Sequence, residues 1–383
     1  MTISRRQWLS YGAGCLGGSL GGPLLAQSPP APASGARRVV WSQSVPLTGP
    51  ASEIGLAFAS GAKLYVDAFN DANPGARIDL RQVDDGADPA RAAANAQKLL
   101  ADGADLLFGF VGTASSNAGA AVAQQRGALF FAPFGAADTL RSAANPNVFH
   151  VRPSMADEAF KMVRHCATIG QSRIAVLAED NPLGHAGLQA VNDAIAELKL
   201  PPLVGSTFVP AGSTKVDAAV ASLNKLQPQV VIQAALFQTT AAVIQEMRKA
   251  GYVGLFMNYS VVGLNPLFLA LGKDIRGVVI SQVVPSPRST SVAVVREYNA
   301  AIDTSDQTPT YESLEGFIAA KTLAEGIRRT GRANFNVAAL QRTLSGMTAY
   351  DVGGFRINLR AGARDAAWGI ELVTVTADGR VVR

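Results

Sequence analysis

Leu106-Leu107-Phe108-Gly109-Phe110-Val111-Gly112-Thr113-Ala114-Ser115-Ser116 is the stretch that decides the fold. An apolar run without alternation specifies a strand buried on both faces, here over 106–111. It breaks at Gly112, and the hydroxyl residues Thr113, Ser115 and Ser116 lead into the helical pattern 118–125. A buried strand that passes through glycine and hydroxyls into a helix gathers free backbone N–H groups and the positive end of the helix dipole at one spot. That spot suits a carboxylate or another small oxyanion, so the chemistry legible here is binding.

The same grammar extends in both directions. Buried-strand candidates lie at 39–44, 78–83, 106–111, 129–132 and 148–152, then at 174–178, 204–209, 230–234 and 255–258. Helical windows separate them at 55–70, 89–102, 156–169, 187–198 and 239–250. Alternation of this kind specifies parallel sheets with helices on both faces, and two series in one chain predict an α/β protein of two doubly wound lobes. The first series ends at Arg152-Pro153-Ser154, where Ser154 is placed to cap the next helix with Asp157 at its third position. A strand at 278–284 closes the second series and runs into Pro285-Ser286-Pro287. Three helical windows without a strand between them follow, at 292–302, 311–330 and 337–344, and these must cover a lobe already made. The tail supplies strands at 355–358 and 370–376, with Asp378-Gly379 as a turn. The expected division is an N-terminal lobe of 38–152 with 285–350 and a C-terminal lobe of 153–284 with 351–383. The chain then crosses between lobes three times, which predicts a hinge rather than a loose linker.

The chain has 383 residues, 48% of them hydrophobic and 16% charged, more than one domain normally holds. Ser4-Arg5-Arg6-Gln7-Trp8-Leu9 and the uncharged, Gly-rich segment up to Ala26 read as an export signal over 1–26. The paired arginines resemble the twin-arginine type, with the general secretory route as the alternative. Residues 27–37, rich in Pro, Ala and Ser, read as a disordered linker. Loss of Arg5 and Arg6 with the signal lowers the formal charge from +5 to +3, and the basic residues are scattered, which argues against nucleic acid as a partner. With Cys15 also lost, Cys166 is the only cysteine and no internal disulfide is expected.

Catalytic and cofactor motifs fail on context. Gly12-Ala13-Gly14-Cys15-Leu16-Gly17 spells a dinucleotide fingerprint but lies in the export segment with no strand before it. His150, His165 and His185 lack metal-ligand spacing, and no serine sits in a nucleophile elbow. No cofactor, metal site or catalytic residue is therefore expected. Asp84-Asp85, between a strand and a helix, reads as turn and cap. The turn at Gly112–Ser116 differs because it lies at the carboxyl end of a central strand, where open α/β sheets bind ligands. Ala132-Pro133-Phe134-Gly135-Ala136 ends the next strand and is expected beside it.

With these residues in hand, the chain over about 38–380 resembles the periplasmic solute-binding proteins of the branched-chain amino-acid transport class, with a type I periplasmic binding fold. The resemblance is carried by Ser44-Val45-Pro46-Leu47-Thr48-Gly49-Pro50, by Val83-Asp84-Asp85-Gly86-Ala87-Asp88-Pro89 and by Phe108–Thr113. Arg152-Pro153-Ser154 with Asp157, Gln282–Pro287 and Tyr311-Glu312-Ser313-Leu314-Glu315-Gly316 complete it. It implies two lobes that close on a small molecule and pass it to a membrane permease and ATPase. It also implies that the Thr113 hydroxyl and the amides of Gly112 and Ala114 hold a ligand carboxylate. Phe134, Gly135 and Ala136 would then stand near the ammonium group, although Ala136 lacks the usual hydroxyl. Ser260 aligns where the family places an acidic residue, and Ile54 and Leu183 where aromatics often line the pocket. Leu236 or Phe237 would line the same cleft. With the ammonium side thinned, the expected ligand is a small carboxylate with an apolar or aromatic body. Glu53, Asp157 or Asp180 would reverse that expectation if one of them served an ammonium. A sensor module presenting the ligand to a receptor and a standard branched-chain amino-acid binder are the alternatives.

Overall fold

The computed structural model describes residues 38–135, 138–331, 335–359 and 369–382. The expected export signal, the linker over 27–37 and Ala136 lie outside the described residues. The first series forms β1 (Val39–Val45), α1 (Ser52–Ala72), β2 (Ile78–Asp84), α2 (Pro89–Ala101), β3 (Leu106–Phe108), α3 (Thr113–Gln125), β4 (Phe130–Phe131) and β5 (Val148–Phe149). Its strands make an all-parallel sheet in the order β2-β1-β3-β4-β5.

The second series forms α4 (Met155–Thr168), β6 (Ile174–Glu179), α5 (Pro182–Glu197), β7 (Gly205–Val209), α6 (Asp217–Leu226), β8 (Val230–Ala234), α7 (Phe237–Lys249), β9 (Leu255–Asn258), α8 (Leu264–Leu271) and β10 (Val279–Gln282). Then come α9 (Ala293–Ile302), α10 (Tyr311–Thr330), α11 (Val337–Ser345), the hairpin β11 (Tyr350–Asp351) and β12 (Arg356–Ile357), and finally β13 (Glu371–Val375) and β14 (Val381–Val382). The second sheet runs β14-β13-β10-β9-β8-β6-β7, parallel from β10 to β7 and antiparallel at the β13–β14 edge. Every residue of β6 and β8 is buried, which is why both read as unbroken apolar runs, whereas edge strand β7 alternates.

Each sheet starts in the same way: second strand, first, third, fourth, fifth. The order therefore reverses once in each lobe, between β1 and β3 and between β6 and β8. Ligand crevices of open α/β sheets open at the carboxyl ends of such strand pairs.

Several strands are shorter than expected: β4 covers 130–131 of the expected 129–132 and β5 only 148–149 of 148–152. The strand that should reach Val111 stops at Phe108, because Gly109 takes φ +57° and leaves the extended region. Gln43 Nε2 holds the Gly109 carbonyl at 2.8 Å, and Val111 rejoins the sheet through a single bridge to Phe134. The start of α4 follows its reading: the Asp157 amide donates to Ser154 Oγ at 3.0 Å and the Ser154 amide to the Asp157 carboxylate at 2.9 Å.

The strandless helices cover the first lobe. Fifteen of the twenty residues of α10 are buried, and it crosses α1 at backbone contact. A Cβ on Gly61 would lie 1.7 Å from the Ser313 carbonyl oxygen, and one on Gly316 2.1 Å from that of Phe58. The β11–β12 hairpin belongs with this layer: the Val294 amide donates to the Gly353 carbonyl at 2.9 Å and the Leu359 amide to that of Met347 at 3.2 Å. The chain passes between the sheets after β5, after β10 and again between Leu359 and Glu371. Cys166 is a buried free thiol 3.4 Å from Met257 Sδ, and burial pushes its pKa up to about 12.

Candidate ligand-binding site

In the first lobe the site is built on the start of α3. Gly112 occupies the N-cap position with φ +95°, and no side chain caps the helix. The Gly112 amide donates to the Phe134 carbonyl at 2.9 Å, and the first helical bond runs from the Ser116 amide to the Gly112 carbonyl at 2.9 Å. The amides of Thr113, Ala114 and Ser115 thus precede the helical ladder and face outward along the dipole. A Cβ on Gly135 would come 3.6 Å from Thr113 Cα and 3.2 Å from Ser116 Oγ, so the turn after β4 lies against this one, as expected. Thr113 is only 7% exposed, and its Oγ1 has no hydrogen-bond partner among the described residues. A buried polar group left unpaired costs about 1–3 kcal/mol, which a ligand acceptor would relieve.

The opposite rim is organised by Glu179, a fully buried carboxylate at the end of β6. It accepts from Thr239 Oγ1 at 2.7 Å, from Asn181 Nδ2 at 2.9 Å and from the Gly212 amide at 3.0 Å. These bonds fix the loops that begin α5 and α7 at the β6–β8 crevice. Leu183, in the first turn of α5, is buried, and Phe237, the first residue of α7, is half-buried. Ser260 opens a short 3-10 turn after β9.

The two rims touch. Gln238 Nε2 donates to the Pro50 carbonyl at 2.7 Å, and α3 packs on α5. Ile54, in the first turn of α1, puts Cγ1 3.4 Å from where a Cβ on Gly263 would stand. These contacts describe lobes closed over the cleft. Gly112, Thr113 and Ala114 are brought together with Phe134 and Gly135, and Ile54 lies close to the turn that starts at Ser260.

One expectation requires correction: an acid does stand at Ser260. Glu158, fully buried on α4, accepts from the Ser260 amide at 2.7 Å, from Ser260 Oγ at 3.0 Å and from Ser281 Oγ. Its charge is answered within the protein by Arg152, whose Nη2 donates to Ser260 Oγ and lies 3.7 Å from Glu158 Oε1. Arg152 Nε lies 3.7 Å from Glu315 Oε1 on α10, and the guanidinium stacks over the Phe134 ring, 4.3 Å from its centroid. Burial pushes the Glu158 carboxyl above its usual range, with Arg152 and the serine bonds opposing. Burial likewise raises Glu315 to about 7, again against Arg152. Glu158 sits beside Asp157 in a helix, and no local pattern distinguishes it from a solvent-facing acid. Its burial is made by β9 and β10, a hundred residues further on.

The acids named from sequence serve elsewhere. Glu53 is exposed, Asp157 is spent in the capping box, and exposed Asp180 lies 2.8 Å from His185 Nε2. Asp84 and Asp85 perform turn duty. Asp84 accepts from the Leu47, Thr48 and Gly86 amides and from Thr48 Oγ1, which, with the Thr48 hydroxyl foremost, holds its pKa down to about 2. Asp85 accepts from Ser44 Oγ and the Ala87 amide.

Two switch-point crevices facing each other across a triple crossing define a cleft-closing binding protein of the type I fold. A family profile described as periplasmic binding protein matches residues 43–380, and the chain belongs to that family. The leucine-, isoleucine-, valine-, threonine- and alanine-binding protein of Pseudomonas aeruginosa is 23% identical over 302 residues, covering 76% of this chain and 78% of the relative. Among solved structures, a possible leucine/isoleucine/valine-binding protein from Rhodopirellula baltica superposes with a TM-score of 0.85 at 26% identity, covering 91% of this chain and 97% of that one. A branched-chain amino-acid ABC transporter structure from Thermus thermophilus with bound valine gives 0.81 at 17% identity, covering 91% and 95%, a likeness of fold.

Proposed function

We propose that this protein is the exported, ligand-binding component of an ABC importer. It captures a small carboxylate-bearing solute between its lobes and delivers it to a membrane permease and ATPase. The observation that carries the reading is the buried, unpaired hydroxyl of Thr113 at the uncapped start of α3. Hydroxyl, amides and dipole together make a carboxylate cradle. Ile54, Leu183 and Phe237 would enclose the apolar body of the ligand, and Ser260 would stand at its polar far side. The relatives are named for binding leucine, isoleucine, valine and other amino acids, which supports a small-molecule transport role and fits the amino-acid alternative.

A standard amino-acid binder is the second reading. Glu315 favours it, because a buried carboxyl beside the cleft is a natural partner for an ammonium group. Thermal unfolding of the protein recovered from the periplasm separates the two. Leucine is tested beside 4-methylpentanoate, and phenylalanine beside 3-phenylpropionate. A ligand at a hundred times its Kd stabilises by about 2.7 kcal/mol, enough to move the midpoint visibly. Stabilisation confined to the acids without an ammonium group supports the first reading, and stabilisation confined to the amino acids supports the second.

A further inference from the structure

We infer that Arg152 is a specificity-determining residue of the cleft, selecting acids that carry an oxygen acceptor next to the carboxylate, as 2-oxo and 2-hydroxy acids do, over α-amino acids. The inference rests on the carboxylate reading of Thr113. Arg152 is 3% exposed, yet its Nη1 has no hydrogen-bond partner among the described residues. Its Nε likewise makes no hydrogen bond and has only the 3.7 Å approach to Glu315. A buried guanidinium with donors to spare is completed by an acceptor.

The position of the guanidinium sets which part of the ligand it meets. It lies over the ring of Phe134, whose carbonyl accepts from the Gly112 amide and whose neighbour Gly135 lies against Thr113. On this inference, a group borne on the carbon next to a carboxylate held at Thr113 extends toward the Phe134 side of the turn, where the guanidinium stacks. Like charges brought together out of water repel strongly, so an ammonium group there is disfavoured. Glu158 offers it little, being already engaged by two serines, one amide and Arg152 itself. Glu315, the acid that would favour an ammonium group, lies 3.7 Å from Arg152 Nε and is shared with that cation. A keto or hydroxyl oxygen, by contrast, accepts from Nη1 and leaves the Arg152–Glu158 pair intact.

Titration calorimetry on three acids of one carbon skeleton tests this. The sets are leucine, 4-methylpentanoate and 4-methyl-2-oxopentanoate, and phenylalanine, 3-phenylpropionate and phenylpyruvate, with leucinamide as the control that lacks a carboxylate. In at least one set the oxo acid is expected to bind about tenfold or more tighter than the unsubstituted acid, with the amino acid weakest. Arg152→Lys keeps the charge that Glu158 needs but removes Nη1. It is expected to weaken oxo-acid binding about tenfold more than binding of the unsubstituted acid, so that the oxo-acid advantage is lost. Equal binding of oxo and unsubstituted acids, tightest binding of the amino acid, or an unchanged oxo preference in Arg152→Lys would overturn the inference alone. An equal loss for every ligand in the variant would show a structural role and overturn it too. Should the variant misfold, the ranking on the unaltered protein decides. Binding of leucinamide as tight as leucine, or no binding by any acid, would overturn the carboxylate reading itself.

Discussion

Gln238 and Pro50 join the two lobes directly: the side-chain amide at the start of α7 donates at 2.7 Å to the carbonyl of the loop that precedes α1. The bond spans the two lobes, so it belongs to the junction between them rather than to either lobe alone. Gln238→Ala is expected to lower ligand affinity by about three- to tenfold, the worth of one neutral hydrogen bond. Stability without ligand should change by less than about 0.5 kcal/mol. Calorimetry and thermal unfolding on the same preparation check both, and an unchanged affinity would mean the bond is not part of closure.

Thr113→Val replaces the hydroxyl with a methyl of nearly the same shape. Because Oγ1 has no partner among the described residues, the fold should be no less stable. Ligand affinity should fall by about tenfold to a hundredfold, the range for a hydrogen bond to a charged group. A variant that binds as tightly as the unaltered protein would remove α3 from the site.

The α1–α10 crossing tolerates no side chain at its closest points. Gly61→Ala puts a methyl 1.7 Å from a backbone oxygen, and Gly316→Ala puts one 2.1 Å from another. Neither oxygen can swing aside as the tip of a side chain could. Each substitution is expected to cost about 3 kcal/mol or more, read as a lower midpoint in urea unfolding at constant slope. A loss below about 1 kcal/mol in both would show that the crossing has room to open.

Glu315 makes stability depend on pH. Burial raises its carboxyl from the ordinary 4.5 to about 7. Between these values the folded protein holds a proton that the unfolded chain has released. Its contribution is therefore full at acidic pH, declines as pH rises from about 4.5 to about 7, and is level above that. The decline amounts to on the order of 3 kcal/mol. Glu315→Gln removes it; because Glu158 and Glu312 repel the Glu315 charge, the variant also eases their ionisation, and the comparison reads the three coupled acids together. Urea unfolding from pH 4.5 to 8 should show the unaltered protein losing stability relative to the variant over that window. A constant difference would mean that Glu315 titrates as an ordinary exposed acid.

Local pattern reached far into this molecule. The strand runs ending at Ala234 and Asn258 were visible because residues buried on both faces of a parallel sheet have no polar alternation to hide them. The Ser154–Asp157 capping box and the Thr113 turn were legible because cap and dipole chemistry operate within three or four residues. Gly109 is the instructive miss, since a positive φ in an apolar run interrupts a strand without changing its composition.

The sequence by itself determined two doubly wound lobes and the glycine-to-helix turn at Thr113 with its uncapped amides, which depend on short-range periodicity and backbone geometry. Only the tertiary structure decided what stands opposite. Arg152, Glu158, Ser260 and Glu315 lie on four separate elements, and their hydrogen bonds and ion pairs span more than a hundred residues. A charge is buried or solvated, paired or free, according to what the fold brings against it, and that cannot be read from the residues beside it in the chain.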